Sequence, residues 1–359
     1  MDGMDVMVLD NNFNIIGIVD DYQSLIWTER YNEAGDFQLD GDLYSTISKY
    51  CKPGYYAKIG KSDTLMVIEN IEASEEPRTS NKITVKGRSI DTILERRVLW
   101  EFITTSGKVQ SIIKKLITEN AIEPVLPQRK IPNLYFVETN DPYIDSKSLN
   151  TIQFENDNLY ETIQTLCQSF DIGYKMKVLG NSFAFGLYYG VDRSYKQTIN
   201  PYVIFSEEYD NISESRYQCD RAKYKNVALV GGAGDGDQKF RVVAGDEALS
   251  GLDRFEMYLD SGLTDNNGEI SHQDYAYQVM TKGNEALKEA QKINTIDGKI
   301  VPDMFKYGID YNMGDILQYK GIMGTSSPVR ITEFIRCLDA SGYKEYPSYI
   351  LLEGGNKNV

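Results

Sequence analysis

Histidine is almost missing: the 359 residues contain one, His272. Any Ser-His-Asp or Cys-His nucleophilic arrangement would have to be built on it, and a His-rich metal site has no material. It follows Ser271 in EISHQDYAYQV, where a solvated first-turn helix residue is expected. Cysteine is scarce too. Cys51, Cys167, Cys219 and Cys337 stand far apart with no CxxC pair. That argues against a zinc ribbon or thiol-redox motif and fits reduced thiols in a protein made in a cytoplasm. No run approaches the about 20 apolar residues of a membrane span, and the opening MDGMDVMVLDNN lacks the basic and long apolar segments of a signal peptide. Positive charge is in deficit. Lys and Arg number 38 against 53 Asp and Glu, a net charge of −15. This argues against a groove that grips phosphates, which needs clustered cations.

What is present is ordinary globular material, 41% hydrophobic and 25% charged, with length for about two to three domains. Residues 5 to 95 read as β-rich. Val6–Leu9 and Phe13–Val19 flank an Asp-Asn-Asn turn, and Leu25-Ile26-Trp27 and Phe37-Gln38-Leu39 flank the corner Ala34-Gly35-Asp36. Tyr55–Ile59, Thr64–Ile71 and Lys82–Lys86 follow, the last two joined by a polar loop, Glu75–Asn81. Such hairpin spacing predicts a small barrel or sandwich. Ser89 is read as the cap of a short helix ending in Arg96-Arg97, which suit its negative end. Ser106 opens a second helix, with Val109, Ile112, Ile113, Leu116 and Ile117 on one stripe. Residues 127 to 152 read as an irregular boundary. Asn158 then caps a helix to Phe170, with Glu161 at capping-box spacing and Cys167 on the core side. Strands are expected at Gly173–Lys177, Ser182–Tyr189, Val203–Phe205, Tyr224–Val230 and Arg241–Ala244. The longest helix runs from Ser271 to about Ile293, weakened at Gly283 by about 1 kcal/mol relative to Ala. Strands return at Lys299–Val301, Ile316–Tyr319, Val329–Cys337 and Ser348–Leu352, before a polar tail.

Two features imitate functional sites. GGAGDG (residues 231–236) resembles a phosphate loop, but its glycines do not follow G-x-G-x-x-G, no Gly-Lys-Ser/Thr follows, and Asp235 and Asp237 would repel phosphate. A hairpin loop is the expectation, and the twelve-residue Ca²⁺ loop with its closing Glu is missing as well. The 26 tyrosines could line a sugar site or an interface, but many sit in alternating strands, where packing is the ordinary role. No catalytic, cofactor-binding or metal-binding residue is assigned.

Several stretches carry a resemblance: WTERYNEAGDFQL (27–39), GRSIDTILERRVLW (87–100), NVALVGGAGDG, SGLDRFEMYLD (250–260) and YNMGDILQYK…VRITEF…YPSYILLEGG. In their order and spacing they resemble the gene-product-37-like tail-hub family of siphophages. That family is related to the N-terminal hub region of tail-associated lysins and to contractile-phage baseplate hubs. The resemblance implies signature positions of structural or interface role at Trp27, Arg30, Tyr31, Asn32, Glu33, Gly35, Asp36, Phe37, Arg88, Arg96, Arg97, Gly314 and Asp315. It implies an α+β, β-rich fold with two small tail-tube-like β-barrels at the chain ends and a helical α+β middle. The expected domains are 1–98 (first barrel), 99–217 (middle) and 218–359 (second barrel, with the helix 271–293 inserted).

The implied role is structural and not enzymatic. A homotrimer would form a pseudo-hexameric ring at the distal tail tip of the virion, docked on a distal tail protein hexamer or the tail tube. It would contact the tape measure protein and the tip, spike or receptor-binding proteins, with DNA only passing through. An acidic channel wall would let DNA slide. Little follows the expected last barrel, so wall-degrading activity is expected on another chain. The competing readings are a carbohydrate-binding host-adsorption module and a hydrolase using acidic residues.

Overall fold

The computed structural model describes residues 3–76, 80–264, 272–290, 293–300, 304–321 and 326–352. The fold is mostly β with helices between the strands. It divides into two compact units, Met1–Ser215 with Asp297–Val359, and Arg216–Ile296.

The first unit is built on a long antiparallel strand path. Its order is Ile15–Val19, Val6–Leu9, Tyr56–Ile59, Met66–Glu76, Ser80–Ser89, Asp36–Asp42, Ser24–Arg30, Ser326–Asp339 and Gly342–Leu351. Ile316–Lys320 pairs with the start of Ser326–Asp339 and takes Ile204–Ser206 in parallel on its other side. Strand alternation sets the core: Leu25, Trp27, Phe37, Leu39, Ile83 and Val85 are buried in one cluster, while Ile26 between two of them is 44% exposed. Thr46–Tyr50 is a short helix that packs on both Ile15–Val19 and Ser80–Ser89. Those strands stand four places apart, about 19 Å in a flat sheet, and a five-residue helix is about 7.5 Å long. The sheet therefore curls, bringing distant strands under one short helix. The described pairings leave the strand path open.

The middle of this unit has two smaller sheets. Ile103–Lys108 pairs with Ser148–Phe154, and Ser182–Tyr188 lies between Gly173–Leu179 and Leu134–Val137. The helices Val109–Ile117 and Leu159–Ser169 pack their apolar stripes into one core with Phe185, where Cys167 is fully buried. Asn158 caps the second helix, accepting from the Tyr160 and Glu161 amides.

Several expectations are corrected here. Ser89 does not cap by its side chain; Ile90–Arg96 is a 3₁₀ helix, and Ser89 Oγ accepts from the Gly35 amide at 2.9 Å instead. Ser106 and Gly107 lie in a strand, and the helix begins at Val109. Residues 127–152 are not irregular. They hold Leu134–Val137, an Asp141-capped helical turn Pro142–Asp145 and the start of Ser148–Phe154. These strands exist because distant strands pair with them, which local polarity conceals. Strand pairing runs to Glu76↔Ser80, so the polar loop expected at Glu75–Asn81 is shorter; its residues 77–79 lie outside the described residues. The helix starting at Ser271 likewise has its first residue outside them. Its described part is His272–Glu289, and Ile293 begins a strand. Val301 and the tail from 353 on also lie outside the described residues.

In the second unit Val227–Gly231 is central, with Arg241–Gly245 antiparallel on one side and Glu256–Asp260 parallel on the other. GGAGDG is the hairpin loop between the first two, with Gly234 and Gly236 at φ of 91° and 57°. The helix His272–Glu289 lies on this sheet through Tyr275, Val279 and Leu287. Gly283 is the point of closest approach. A Cβ there would sit 2.5 Å from Val230 Cγ2 and 2.6 Å from Ala244 Cβ. Gly283→Ala would favour an isolated helix by about 1 kcal/mol. Here we expect it to destabilise this unit by about 1–3 kcal/mol, because the helix must lift off the sheet. Denaturant unfolding checks this, and an unchanged or raised midpoint would sink it.

Candidate functional site

The corner after Ser24–Arg30 is made possible by Gly35. A Cβ there would lie 2.5 Å from the Thr28 carbonyl oxygen, and the Gly35 carbonyl accepts from the Ser89 amide at 2.9 Å. Tyr31 leaves the corner and enters the interior, 1% exposed. Its Oη lies 2.9 Å from the Tyr189 carbonyl oxygen and 3.1 Å from that of Asp171, with one proton to share between them. Burial pushes its phenol pKa up, against the opposing pull of Arg330. Gly314, at φ +85°, passes so close to the ring that a Cβ would fall 2.5 Å from Tyr31 Cε2.

Arg330, on Ser326–Asp339, is fully buried beside Tyr31. Its Nε and Nη2 donate to Asp171 Oδ2 at 3.1 and 2.8 Å. Its Nη1 donates to the carbonyls of Tyr189 and Gly314, and the guanidinium lies 4.3 Å from the Tyr189 ring centroid and 5.0 Å from that of Tyr31. The fork shape lets one arginine join three chain segments, which an ammonium could not do. Asp315, 2% exposed, accepts from the amides of Val191 and Asn312 and from Arg193 Nε. The turn Gly314-Asp315 thus fastens residues 189–193 to the last strands.

A second buried pair lies on the neighbouring strands. Arg336 Nη1 donates to Glu29 Oε1 at 2.6 Å, both residues under 9% exposed. Thr64 Oγ1 donates to the other Glu29 oxygen at 3.3 Å, and Lys175 Nζ lies 3.9 Å away. Arg336 Nε has no hydrogen bond among the described residues; Glu345 Oε2 is 4.0 Å from it. Beside this pair opens a cleft of about 550 Å³, lined by Glu29, Asp91, Tyr135, Tyr174, Tyr188 and Tyr307 among others. Burial raises the Asp91 carboxyl pKa.

The structure sorts the signature positions. Tyr31, Gly314 and Asp315 meet at the junction. Arg30 binds Asp36, the Ala34 carbonyl and Glu333, tying the corner to Ser326–Asp339. Arg88, opposite Asp36 in register, pairs bidentately with both Glu69 and Glu95. Trp27 and Phe37 are core residues, 5.6 Å apart between ring centroids. Glu33 Oε1 and the Asn32 carbonyl accept from Gln168 Nε2. Arg96 and Arg97 lie apart from the junction: Arg96 is exposed, and Arg97 donates to the Arg129 carbonyl. Sequence reasoning missed Arg330, Asp171 and the Glu29–Arg336 pair. Arginines in an alternating strand read as a solvent face, and the acid partner of Arg330 lies 159 residues away.

Chemically the junction is a set of charges fixed by one another, with no nucleophile held against a base. Among the described residues no group of three or more His, Cys, Asp or Glu could hold a metal ion, and His272 is exposed against the Phe240 ring. No helix among them is long and apolar enough to cross a membrane.

The whole fold is shared with tail proteins of known structure. The 43 kDa tail protein of prophage MuSo2 from Shewanella oneidensis superposes with a TM-score of 0.58 at 13% identity, covering 96% of this chain and 97% of that one. A tail protein from Neisseria meningitidis MC58 gives 0.57 at 13% identity, covering 98% and 97%. Prophage tail protein gp18 from Listeria monocytogenes EGD-e gives 0.55 at 14%, covering 99% and 95%. At such identities the likeness is one of fold. A search of curated proteins gives no match. The family model described as Siphovirus ReqiPepy6 Gp37-like protein matches residues 5–346, and the chain belongs to that family.

Proposed function

We propose that the protein is a non-enzymatic hub of a phage tail tip. In this reading three copies form a pseudo-hexameric ring from two barrel-like domains each. The ring docks on the distal tail protein or tube, holds the tip components, and surrounds the path of the tape measure and DNA. Residues 1–98 would supply the first ring domain, 99–217 the middle, and 218–359 the second. The observation that carries the reading is the whole-chain likeness to three tail proteins, at least 95% of each chain being covered. The curled N-terminal sheet and its pairing to Ser326–Asp339 support it, since a ring part needs both chain ends fixed in one body. A net charge of −15 suits a channel that must not hold DNA.

The test is the molar mass of the purified chain by light scattering at high and low concentration, then with added distal tail protein. Three times 40.8 kDa, or a three-to-six complex after the addition, is the expected result. A monomer that ignores the distal tail protein would overturn the hub. The tyrosine-lined cleft favours one alternative, a carbohydrate-binding adsorption module. That reading requires measurable affinity of the isolated chain for host cell-wall sugars.

A further inference from the structure

The strip around Trp100 contradicts the charge of the chain that carries it. Residues 96–130 hold seven Lys or Arg against three Glu, in a chain of net charge −15; Lys108, Lys114 and Lys115 face Asp145, Glu138 and Glu119, and the strip itself carries Arg96, Arg97, Arg129 and Lys130. Arg97 donates to the Arg129 carbonyl, Arg129 donates to the Val98 carbonyl, and the Arg129 guanidinium lies 4.3 Å from the Trp100 ring centroid. Arg96, exposed, adds a third guanidinium alongside. The hydrogen bonds of Arg97 and Arg129 go to backbone carbonyls and the Asn120 amide oxygen, and Glu101 offsets part of the Arg129 charge, which leaves the strip with cations in excess.

The apolar part of the strip is held outward by the backbone. Leu99 donates to the Asp157 carbonyl at 2.9 Å and accepts from the Asn156 amide at 3.1 Å, and its side chain is fully buried. In an extended segment the neighbours of an inward residue point outward. Val98, Trp100 and Phe102 are accordingly 42%, 58% and 59% exposed. Large aromatics interleaved with arginine are the composition of interface centres.

We infer that this strip is a contact face for a second copy of the chain. Charge complementarity selects that occupant, because the acid surplus of the protein lies outside the strip. General repulsion between two acidic copies is screened within about 8 Å at physiological ionic strength, which leaves local complementarity to decide. Two copies cannot meet strip to strip, since that would oppose arginine to arginine. The contact is therefore heterologous, the kind that closes into a ring of three or more and does not stop at a two-fold dimer. This deepens the ring reading and rests on it.

The experiment uses the full chain and two variants, Trp100→Ser and Arg96→Glu, followed by light scattering over a concentration series. Exposed residues are changed, so circular dichroism and melting temperature should stay as in the wild type. The wild type should assemble, and each variant should need at least tenfold higher concentration to do so. Iodide quenching is a second readout that needs no variant. Of the two tryptophans, Trp27 is fully buried, so Trp100 should be quenched in dilute protein and protected on assembly. Where the chain assembles only with the distal tail protein, the comparison is run in that mixture, and a wild type that stays monomeric at every concentration with and without that protein overturns both the ring and this inference. A wild type that assembles while the variants assemble equally, or while Trp100 stays equally quenched, leaves the ring standing and overturns the inference alone.

Discussion

Arg330→Met is expected to lower the melting temperature by roughly 6–12 °C. The variant keeps the length of the side chain and removes its charge and all its donors. Asp171, whose side chain is 34% exposed, loses its partner, and the Tyr189 and Gly314 carbonyls lose a donor. Removing one member of a fully buried pair costs about 3–5 kcal/mol; Asp171 is partly open to solvent, which screens the charge left behind, so about 3 kcal/mol is expected here. At this chain size each kcal/mol is worth about 2–4 °C or somewhat less. Arg330→Lys should recover less than half of the loss, because an ammonium cannot reach an acid and two carbonyls in different directions at once. Differential scanning calorimetry of the three proteins decides the matter. An unchanged melting temperature for Arg330→Met would mean that the junction does not hold the C-terminal strands.

The Glu29–Arg336 pair should show the second large effect, and its signature is non-additivity. Glu29→Leu strands a guanidinium that is 4% exposed, and Arg336→Met strands a carboxylate left to Thr64 and the more distant Lys175. Each single change is expected to cost about 3–5 kcal/mol. The double variant should be far more stable than the sum of the two predicts, since an apolar pair of similar volume replaces the ion pair without leaving a lone charge. Urea unfolding of the four proteins gives the coupling directly. Coupling below about 0.5 kcal/mol would show that the two side chains do not act as a pair. Both experiments probe one structural fact: two strands that meet by Glu333↔Arg30 and Leu338↔Leu25 lie some 300 residues apart in sequence.

Local patterns were readable where one residue's neighbours in sequence are its neighbours in space. The stripe Val109, Ile112, Ile113, Leu116 and Ile117, the Asn158 cap and the GGAGDG hairpin each depend on spacings of a few residues, and each is found. The helix after Ser89 begins where the sequence puts it, but the Ser89 side-chain cap and the Ser106 helix start are misread for the complementary reason. A serine before an apolar run signals a cap, but Ser89 is claimed by Gly35, 54 residues away, and Ser106 by a strand whose partner begins at Ser148. Gly283 is the sharpest case. In sequence it is a flaw in a helix, and in the fold it is the contact that lets the helix lie on Val230 and Ala244.

Composition and short-range pattern were enough to show that the chain is acidic and poor in histidine and thiols, that strands dominate its beginning and end, and that its signature motifs resemble the gene-product-37-like family. Those properties are sums over composition or short-range periodicities, which the chain carries whether or not it is folded. Folding is what joins Ser24–Arg30 to Ser326–Asp339, sets Gly314 against the ring of Tyr31 and makes two strand arginines buried anchors. A buried charge is tolerable only where its partners converge on it, and convergence of residues 171, 189, 314 and 330 is a property of the folded chain alone.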